Sequence, residues 1–233
     1  MPPDERPPPR RHRAERNDRA LLQAAREVLA EDGTHASVAA IAARAGVGIG
    51  SLYRRYRTKD ELFQRLALLS LEHWNHAAAR ALEDDDPWRG LAGFVTACAE
   101  FGQGTLGPIA GAIAVTDEMA SASARGDDLL AALVVRAHDA GVLRPDVTPV
   151  DVTLLVEQLG RSPLVDQIRK QGRDDLLPAA EAARRRVIAV AVDGLRAGHP
   201  APLPGAPPPL SLFTERWVRA GPEGARRRRA GDG

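Results

Sequence analysis

The residues with the clearest chemical potential lie between positions 48 and 59 of the 233-residue chain. Two adjacent arginines, Arg54 and Arg55, stand in a short segment that is otherwise small, apolar or aromatic. Arginine is the side chain that most often reads guanine in the major groove of DNA, and it also pairs with phosphate. Lys59 follows at a predicted helix start, where its charge and the exposed backbone amides can together hold a phosphate. This pattern favours nucleic-acid binding over catalysis.

Two short helices must position these arginines. Ser37 can cap a helix over residues 38–45, and Gly46 provides a turn that a side chain would obstruct. A second helix is predicted over residues 48–56, where Leu52 points inward. Two short helices joined by a glycine turn form a helix-turn-helix, whose second helix enters the major groove.

Helical patterns continue on both sides of this motif. Apolar spacing predicts a helix over residues 18–32, which Gly33 ends. Thr58 and Glu61 form a capping box that opens a long fourth helix extending toward Leu82. Further helices are predicted over residues 87–102, 108–115, 126–140, 152–159 and 176–197. No pair of alternating strands joined by a hairpin turn occurs, so the predicted fold class is all-α.

The segment from residue 39 to residue 63 resembles the TetR/AcrR family of transcriptional regulators. The resemblance rests on residues 39–47, which end in Ala-Gly-Val, on Leu52-Tyr53, on Tyr56 and on the helix start at residues 58–63. In that family the matching positions contact bases or the DNA backbone. The resemblance therefore implies a DNA-binding set that consists of Ser37, Arg44, Gly48, Ile49, Gly50, Ser51, Tyr53, Arg54, Arg55 and Lys59.

Two positions depart from the family pattern. Gly48 stands where many members have a serine that caps the recognition helix, and Ile49 stands where a lysine is common. Glycine caps less well than serine, and an isoleucine can at most touch a thymine methyl group. Direct base readout is therefore predicted to depend on Arg54 and Arg55.

The resemblance also implies how the rest of the chain is organised. We expect an N-terminal three-helix helix-turn-helix DNA-binding domain at residues 17–66 and a C-terminal helical ligand-binding and dimerisation domain at 67–198. A disordered Pro/Arg-rich arm at residues 1–16 and a Pro/Arg-rich tail at 199–233 flank them. The homodimer would form through helices near residues 148–159 and 176–197, and it would bind a palindromic operator in double-stranded DNA.

In the family, a small molecule enters the C-terminal domain and releases the DNA. Candidate pocket residues on the inner helix faces are Trp74, Phe101, Met119 and Gln158, each of which could instead be plain core. An apolar effector of unknown identity suits this lining best. The predicted function is that of a ligand-responsive repressor.

The charge distribution agrees with a polyanion partner at one end. The formal net charge is +1, but it divides into +4 over residues 1–66, −6 over residues 67–198 and +3 over residues 199–233. No apolar run is long enough to span a membrane, and the N-terminus lacks a secretory apolar region. We therefore expect a cytoplasmic protein without a membrane partner.

Three other motifs could indicate a cofactor or a metal ion. Residues 102–107 spell G-x-G-x-x-G, but no strand precedes them, so a helix-breaking loop is predicted. His73 and His76 share a helix face, yet a third metal ligand would have to come from elsewhere. Cys98 is the only cysteine and has apolar neighbours, which indicates a buried thiol. No metal and no cofactor are therefore predicted.

Two alternative functions stay open. An enzyme, such as a small helical hydrolase or an oxidoreductase using the glycine loop, predicts turnover or a bound cofactor. A helical interaction scaffold predicts DNA affinity that no ligand changes. The sequence contains no evident pairing of a nucleophile with a base, so a regulator that is not an enzyme is the favoured prediction.

Overall fold

The computed structural model describes residues 20–29, 32, 35–198, 201–209 and 211. The predicted arm at residues 1–16 and most of the predicted tail lie outside the described residues. Helix α1 is seen at residues 20–29. It is followed by α2 (Val38–Arg44), α3 (Ile49–Arg55), α4 (Lys59–Leu82), α5 (Pro87–Phe101), α6 (Asp117–Asp139), α7 (Pro149–Gly160), α8 (Pro163–Lys170) and α9 (Leu177–Asp193).

The all-α prediction is confirmed for the part of the chain that is described. Two 3₁₀ turns, Gly107–Ile109 and Asp174–Leu176, supplement the α-helices. The single β-type pairing seen there is an isolated bridge between Leu143 and Arg196. None of the described helices is both long and apolar enough to cross a membrane.

Helix α4 lies in two hydrophobic cores. The head core contains buried residues of α1, α2 and α3, the first part of α4 from Leu62 to Leu68, and the loop side chains Leu106, Ile109 and Ile113. The body core contains the second part of α4 from Trp74 to Ala81, together with α5, α6, α7 and α9. At 1.5 Å per residue the 24 residues of α4 span about 36 Å, enough to connect both cores with one rigid element.

Short side-chain caps determine where the head helices begin. The Ser37 hydroxyl accepts a hydrogen bond from the Ala40 amide at 3.0 Å, and the Thr58 hydroxyl accepts one from the Glu61 amide at 3.1 Å. Both caps were predicted. The reciprocal half of the predicted capping box differs, because the Glu61 carboxylate accepts from the amide of Arg57 rather than that of Thr58.

Two helix predictions were wrong, and one helix of the body was missed. Residues 108–115 form no α-helix, since Gly111 adopts a left-handed φ of +73° and the loop side chains instead fill the head core. Helix α6 begins at Asp117, nine residues before the predicted start, because Thr116 caps its first turn. The Ala and Ser residues at positions 120–124 that follow show no apolar period, so the sequence did not reveal this part of the helix. Helix α8 was not predicted at all, and it buries only Val165 and Ile168.

The glycine-rich loop after α5 packs backbone to backbone against α7. Gly102 ends α5 in the left-handed conformation at φ +80°. A Cβ on Gly104 would lie 2.8 Å from the Cα of Glu157, and a Cβ on Gly160 would lie 1.8 Å from the carbonyl oxygen of Gln103. The G-x-G-x-x-G motif is thus a helix-breaking loop, as predicted, and its glycines permit close packing.

The start of the predicted tail is held against the body. Arg144 donates to the carbonyl of Ala201 at 2.7 Å, and the amide of Leu203 donates to the Asp146 carboxylate at 2.7 Å. The Arg144 guanidinium, followed by that amide, holds the pKa of Asp146 well below its usual range. This ion pair therefore links the α6–α7 connection to residues 201–203.

Replacement of Gly160 by alanine tests the backbone contact. We expect Gly160→Ala to lower the free energy of unfolding by about 1–3 kcal/mol or more, because its Cβ would overlap the Gln103 backbone. Gly93→Ala in the exposed face of α5 is the matched control, and we expect it to raise stability by about 0.5–1 kcal/mol. Thermal and urea unfolding measure both, and equal stabilisation by the two changes would contradict the packing.

Candidate DNA-binding surface

Helix α3 protrudes from the head with a single buried residue. Leu52 is 2% exposed and packs in the head core, whereas the other six residues of the helix are exposed. A seven-residue helix is not stable alone, so this leucine and the flanking half-buried Val47 and Tyr56 hold it in place. The remaining side chains can enter a groove without disturbing the core.

The turn between α2 and α3 depends on Gly46. Its φ of +66° is the left-handed region that favours glycine. The Val47 amide then donates to the carbonyl of Ala42 at 3.0 Å, which closes the end of α2 and directs α3 across it. Buried Val38, Ile41 and Leu52 complete the contact, so the predicted helix-turn-helix is present.

Ser37 and Arg44, the two predicted DNA-binding residues of the α2 region, also have contacts within the protein. Ser37 caps α2, as described above. Arg44 lies 3.0 Å from Glu27, and this ion pair joins α2 to α1. Both residues are at the exposed edge of α2, so these contacts orient the edge that would face the DNA backbone.

Gly48 and Gly50 leave the N-terminal end of α3, the recognition helix, without side chains at two positions. Gly48 is the N-cap with extended backbone, and no side chain caps the helix there. A Cβ added to either glycine would meet no atom within 4 Å, so packing inside the protein does not require glycine at these positions. Ile49, 44% exposed, and Ser51 stand beside them on the open surface.

The larger predicted DNA-binding residues line the same surface. Tyr53 is 49% exposed, and Arg54 and Arg55 are exposed in the last turn of α3. The Arg55 guanidinium lies 5.3 Å from the Tyr56 ring centroid, and the Lys59 ammonium lies 5.2 Å from that of Phe63. These aromatic contacts place both cations at the junction of α3 and α4.

The four predicted pocket residues do not surround one cavity. Trp74 is buried in the body core, with its ring 4.7 Å from that of Phe94 in an edge-on arrangement. Met119 is buried in the head core, and Gln158 is exposed on α7. Phe101 lines a cavity that lies between the head and the body, and the other three residues are not in the lining of that cavity.

The sequence analysis did not predict the arginines that line this cavity. Arg26 of α1 and Arg184 of α9 both line it, together with Phe101. Arg26 is only 6% exposed and lies among the apolar residues of α1, between Leu22 and Leu29 in helical spacing. An arginine inside an apolar stripe is the sequence signal that could have identified this site.

The remaining sequence motifs take structural roles. Cys98 is fully buried, and burial raises the pKa of its thiol far above the usual range. The ring of His73 stacks on Phe101 with 3.5 Å between centroids. Among the residues that can be described, no group of three or more His, Cys, Asp or Glu side chains is placed to hold a metal ion.

The fold and this surface define a helix-turn-helix DNA-binding protein. Two family models match the chain. The model for bacterial regulatory proteins of the tetR family matches residues 21–66, and the model for the C-terminal domain of SbtR-like transcriptional regulators matches residues 86–197. Together they cover more than half of the chain. The protein belongs to the TetR family and is a DNA-binding transcriptional regulator.

Solved structures of the same family are similar over most of the chain. The TetR transcriptional regulator SCO0520 from Streptomyces coelicolor is 22% identical, and the match covers 78% of this chain and 99% of that one with a TM-score of 0.51. A TetR regulatory protein from Mycobacterium vanbaalenii is 25% identical, with 81% and 100% covered and a TM-score of 0.51. These similarities extend through head and body together.

Removal of the two exposed arginines tests the surface. We expect Arg54→Ala with Arg55→Ala to weaken binding to a specific duplex by about 1–3 kcal/mol for each arginine that reads a base. Fluorescence anisotropy at several salt concentrations measures the loss. Arg80→Ala, which removes one exposed positive charge at the far end of α4, is the control. Equal affinity in the double variant and the control would refute the assignment.

A methyl group at Gly50 tests how closely the backbone approaches DNA. Alanine favours the helix by about 0.5–1 kcal/mol over glycine, so Gly50→Ala should stabilise the protein. The same methyl group would stand between α3 and the base pairs, and we expect operator affinity to fall about tenfold, or about 1.4 kcal/mol. Gly93→Ala should stabilise without changing DNA affinity. Unchanged DNA affinity in Gly50→Ala would contradict close approach at this position.

Proposed function

We propose that this protein is a ligand-responsive repressor that binds a palindromic operator as a homodimer and is released by a small effector. The observation that supports dimerisation is an uncovered apolar stripe on α9. The observations that support ligand control are the long helix α4, shared by both cores, and the cavity between head and body. Membership of the TetR family is consistent with each of these.

The α9 stripe consists of Ala179, Ala183, Val187 and Val190, which recur at spacings of three and four residues. Val187 is 60% exposed and Val190 is 68% exposed. The other side of α9 is already used, since Ile188 and Val192 are buried in the body core. A second copy of the chain would cover the stripe, and its small alanines would let two helices approach closely.

This interface agrees with the sequence-based expectation for residues 148–159 and 176–197. Two-fold pairing of α9 against α9, with α7 alongside, would direct both heads to the same side. A symmetric dimer places its two recognition helices about 34–36 Å apart, or a multiple of that distance, on an operator with inverted half-sites.

Helix α4 offers a route from effector to DNA. A ligand that shifts the body half of α4 must tilt its head half, because the helix is continuous. The ligand would have to bind the DNA-free arrangement more tightly than the DNA-bound one. The sequence predicted an apolar effector, whereas the cavity at the junction is lined by charged as well as apolar groups.

Selection of genomic DNA fragments by the purified full chain tests the proposed function. We expect enrichment of inverted repeats, protected as two half-sites. We also expect that some member of a small-molecule panel lowers operator affinity. Enrichment of single half-sites only would contradict the dimeric operator. Operator binding that no ligand changes would favour the scaffold interpretation.

A charge placed in the α9 stripe tests the dimer. We expect Val190→Arg to give a monomer by light scattering and to lower affinity for the full palindrome at least about tenfold, or about 1.4 kcal/mol. Val135→Arg is the matched control, because Val135 is 56% exposed and also lies near the C-terminus of its helix, α6. Dimers in both variants would exclude this face as the interface.

A further inference from the structure

A cavity of about 490 Å³ lies where the head meets the body. We call it the junction cavity. One wall is α1, with Arg26 and Glu27, and the opposite walls are the end of α5, α8 and α9. Its apolar lining consists mainly of Phe101, Val165 and Ile188. Its volume suits a small organic molecule.

Arg26 brings an incompletely satisfied positive charge to this cavity. The side chain is 94% buried, as its 6% exposure implies. One of its terminal nitrogens donates to the carbonyl of Phe101, and its guanidinium stacks 4.0 Å from the Phe101 ring centroid. The other terminal nitrogen and Nε are buried, and neither has a hydrogen-bond partner among the described residues. Such donors are costly to bury unless an acceptor meets them.

Arg184 adds a second positive charge from the opposite wall. It donates to the carbonyl of Ala99 at 2.5 Å and to that of Gly160 at 3.3 Å, but its buried Nε meets no acceptor in the part of the chain that is described. Burial, followed by repulsion from Arg184, lowers the pKa of Arg26 to about 10. Arg26 therefore stays protonated at neutral pH.

The carboxylates around the cavity leave these donors unmet. Glu27 pairs with Arg44 at 3.0 Å and lies 3.7 Å from Arg169, and Glu181 lies 3.6 Å from Arg169. Asp166 is half-buried, and burial raises its pKa, which weakens it as a counterion. Glu100 attracts Arg184 over a distance but is exposed. Within the described residues, none of these four accepts a hydrogen bond from Arg26.

We propose that the junction cavity binds a small organic acid, whose carboxylate pairs with Arg26 and Arg184 while its apolar part packs on Phe101, Val165 and Ile188. A carboxylate presents two acceptors to a guanidinium, and such charge-assisted bonds are about twice as strong as neutral ones. The Nε donors of both arginines are covered in this structure, so the two guanidinium groups would turn toward the cavity to meet the carboxylate. The nearby apolar side chains favour an organic acid over an inorganic anion.

An anion bound in the junction cavity would contact the DNA-binding head directly. Arg26 belongs to α1, which packs against α2 and α3 in the head core, while Arg184 belongs to the body. An anion between them draws α1 toward α9 and competes for the contact of Arg26 with the Phe101 carbonyl. The consequence for DNA release rests on the ligand-responsive function proposed above, whereas binding itself does not.

Octanoate and its uncharged match octanamide test the proposal on the full chain by isothermal titration calorimetry. We expect saturable octanoate binding at a ratio of one per chain and at least about tenfold weaker binding of octanamide and of inorganic phosphate. Arg26→Met and Arg184→Met should each weaken octanoate binding about tenfold or more. Arg80→Met is the matched control and should bind as the natural chain does. Two variants on separate helices keep the test valid if one fails to fold.

Several results would overturn the proposal. These are no octanoate binding to the natural chain, octanoate affinity in both arginine variants equal to that of the natural chain, or binding of octanamide or phosphate as tight as that of octanoate. Operator affinity, measured in parallel, separates this site from the wider function. Arginine-dependent octanoate binding that leaves operator affinity unchanged would support the site and contradict octanoate-type ligands as effectors. Operator release by a ligand that binds equally to Arg26→Met and Arg184→Met would support ligand control and place its effector elsewhere.

Discussion

Helix α4 contributes buried side chains to two cores, and this sharing constrains the rest of the molecule. Leu62, Phe63 and Leu66 close the head core, and Trp74, Ala78 and Ala81 enter the body core three turns later. A sharp bend in a helix that is buried at both ends costs free energy, since interior hydrogen bonds of the helix would have to break. Any rearrangement of the body around the second half must therefore move the head as a unit. Helix α3 is tied closely to this movement, because only three residues, the last of them the N-cap Thr58, separate the end of α3 from the start of α4.

The recognition helix depends on that head for its existence. Seven residues with glycine at the cap and at position 50 have little intrinsic helical stability. Docking of Leu52, and not helix propensity, determines its conformation. Because Leu52 is the only buried residue of α3, the other side chains of the helix are exposed and available for the predicted contacts with DNA. The same sparse anchoring makes α3 sensitive to anything that loosens the head core.

Local chemistry explains which features the sequence could predict. The caps at Ser37 and Thr58 and the left-handed Gly46 use only neighbours in the chain, so their residue types were sufficient. Residues 108–115 look helical, but their apolar side chains are recruited by the head core, a distant partner that no local pattern reveals. Helix α8 has two buried residues and therefore too little periodicity to detect.

The DNA-binding surface and the junction cavity differ in how far local sequence patterns can predict them. The DNA-binding set could be proposed from the sequence because its residues lie close together along one short helix and its flanks, and their contacts with DNA stay a prediction. The junction cavity could not, since Arg26 and Arg184 are separated by most of the chain and meet only after α1 packs beside α9. The predicted pocket lining suggested an apolar effector, because a sequence does not show which charges folding leaves without partners. A buried guanidinium with unmet donors changes that inference. The free energy lost by desolvating it is recovered only when an acceptor arrives, so the chemistry of Arg26 favours an anionic ligand over a neutral one.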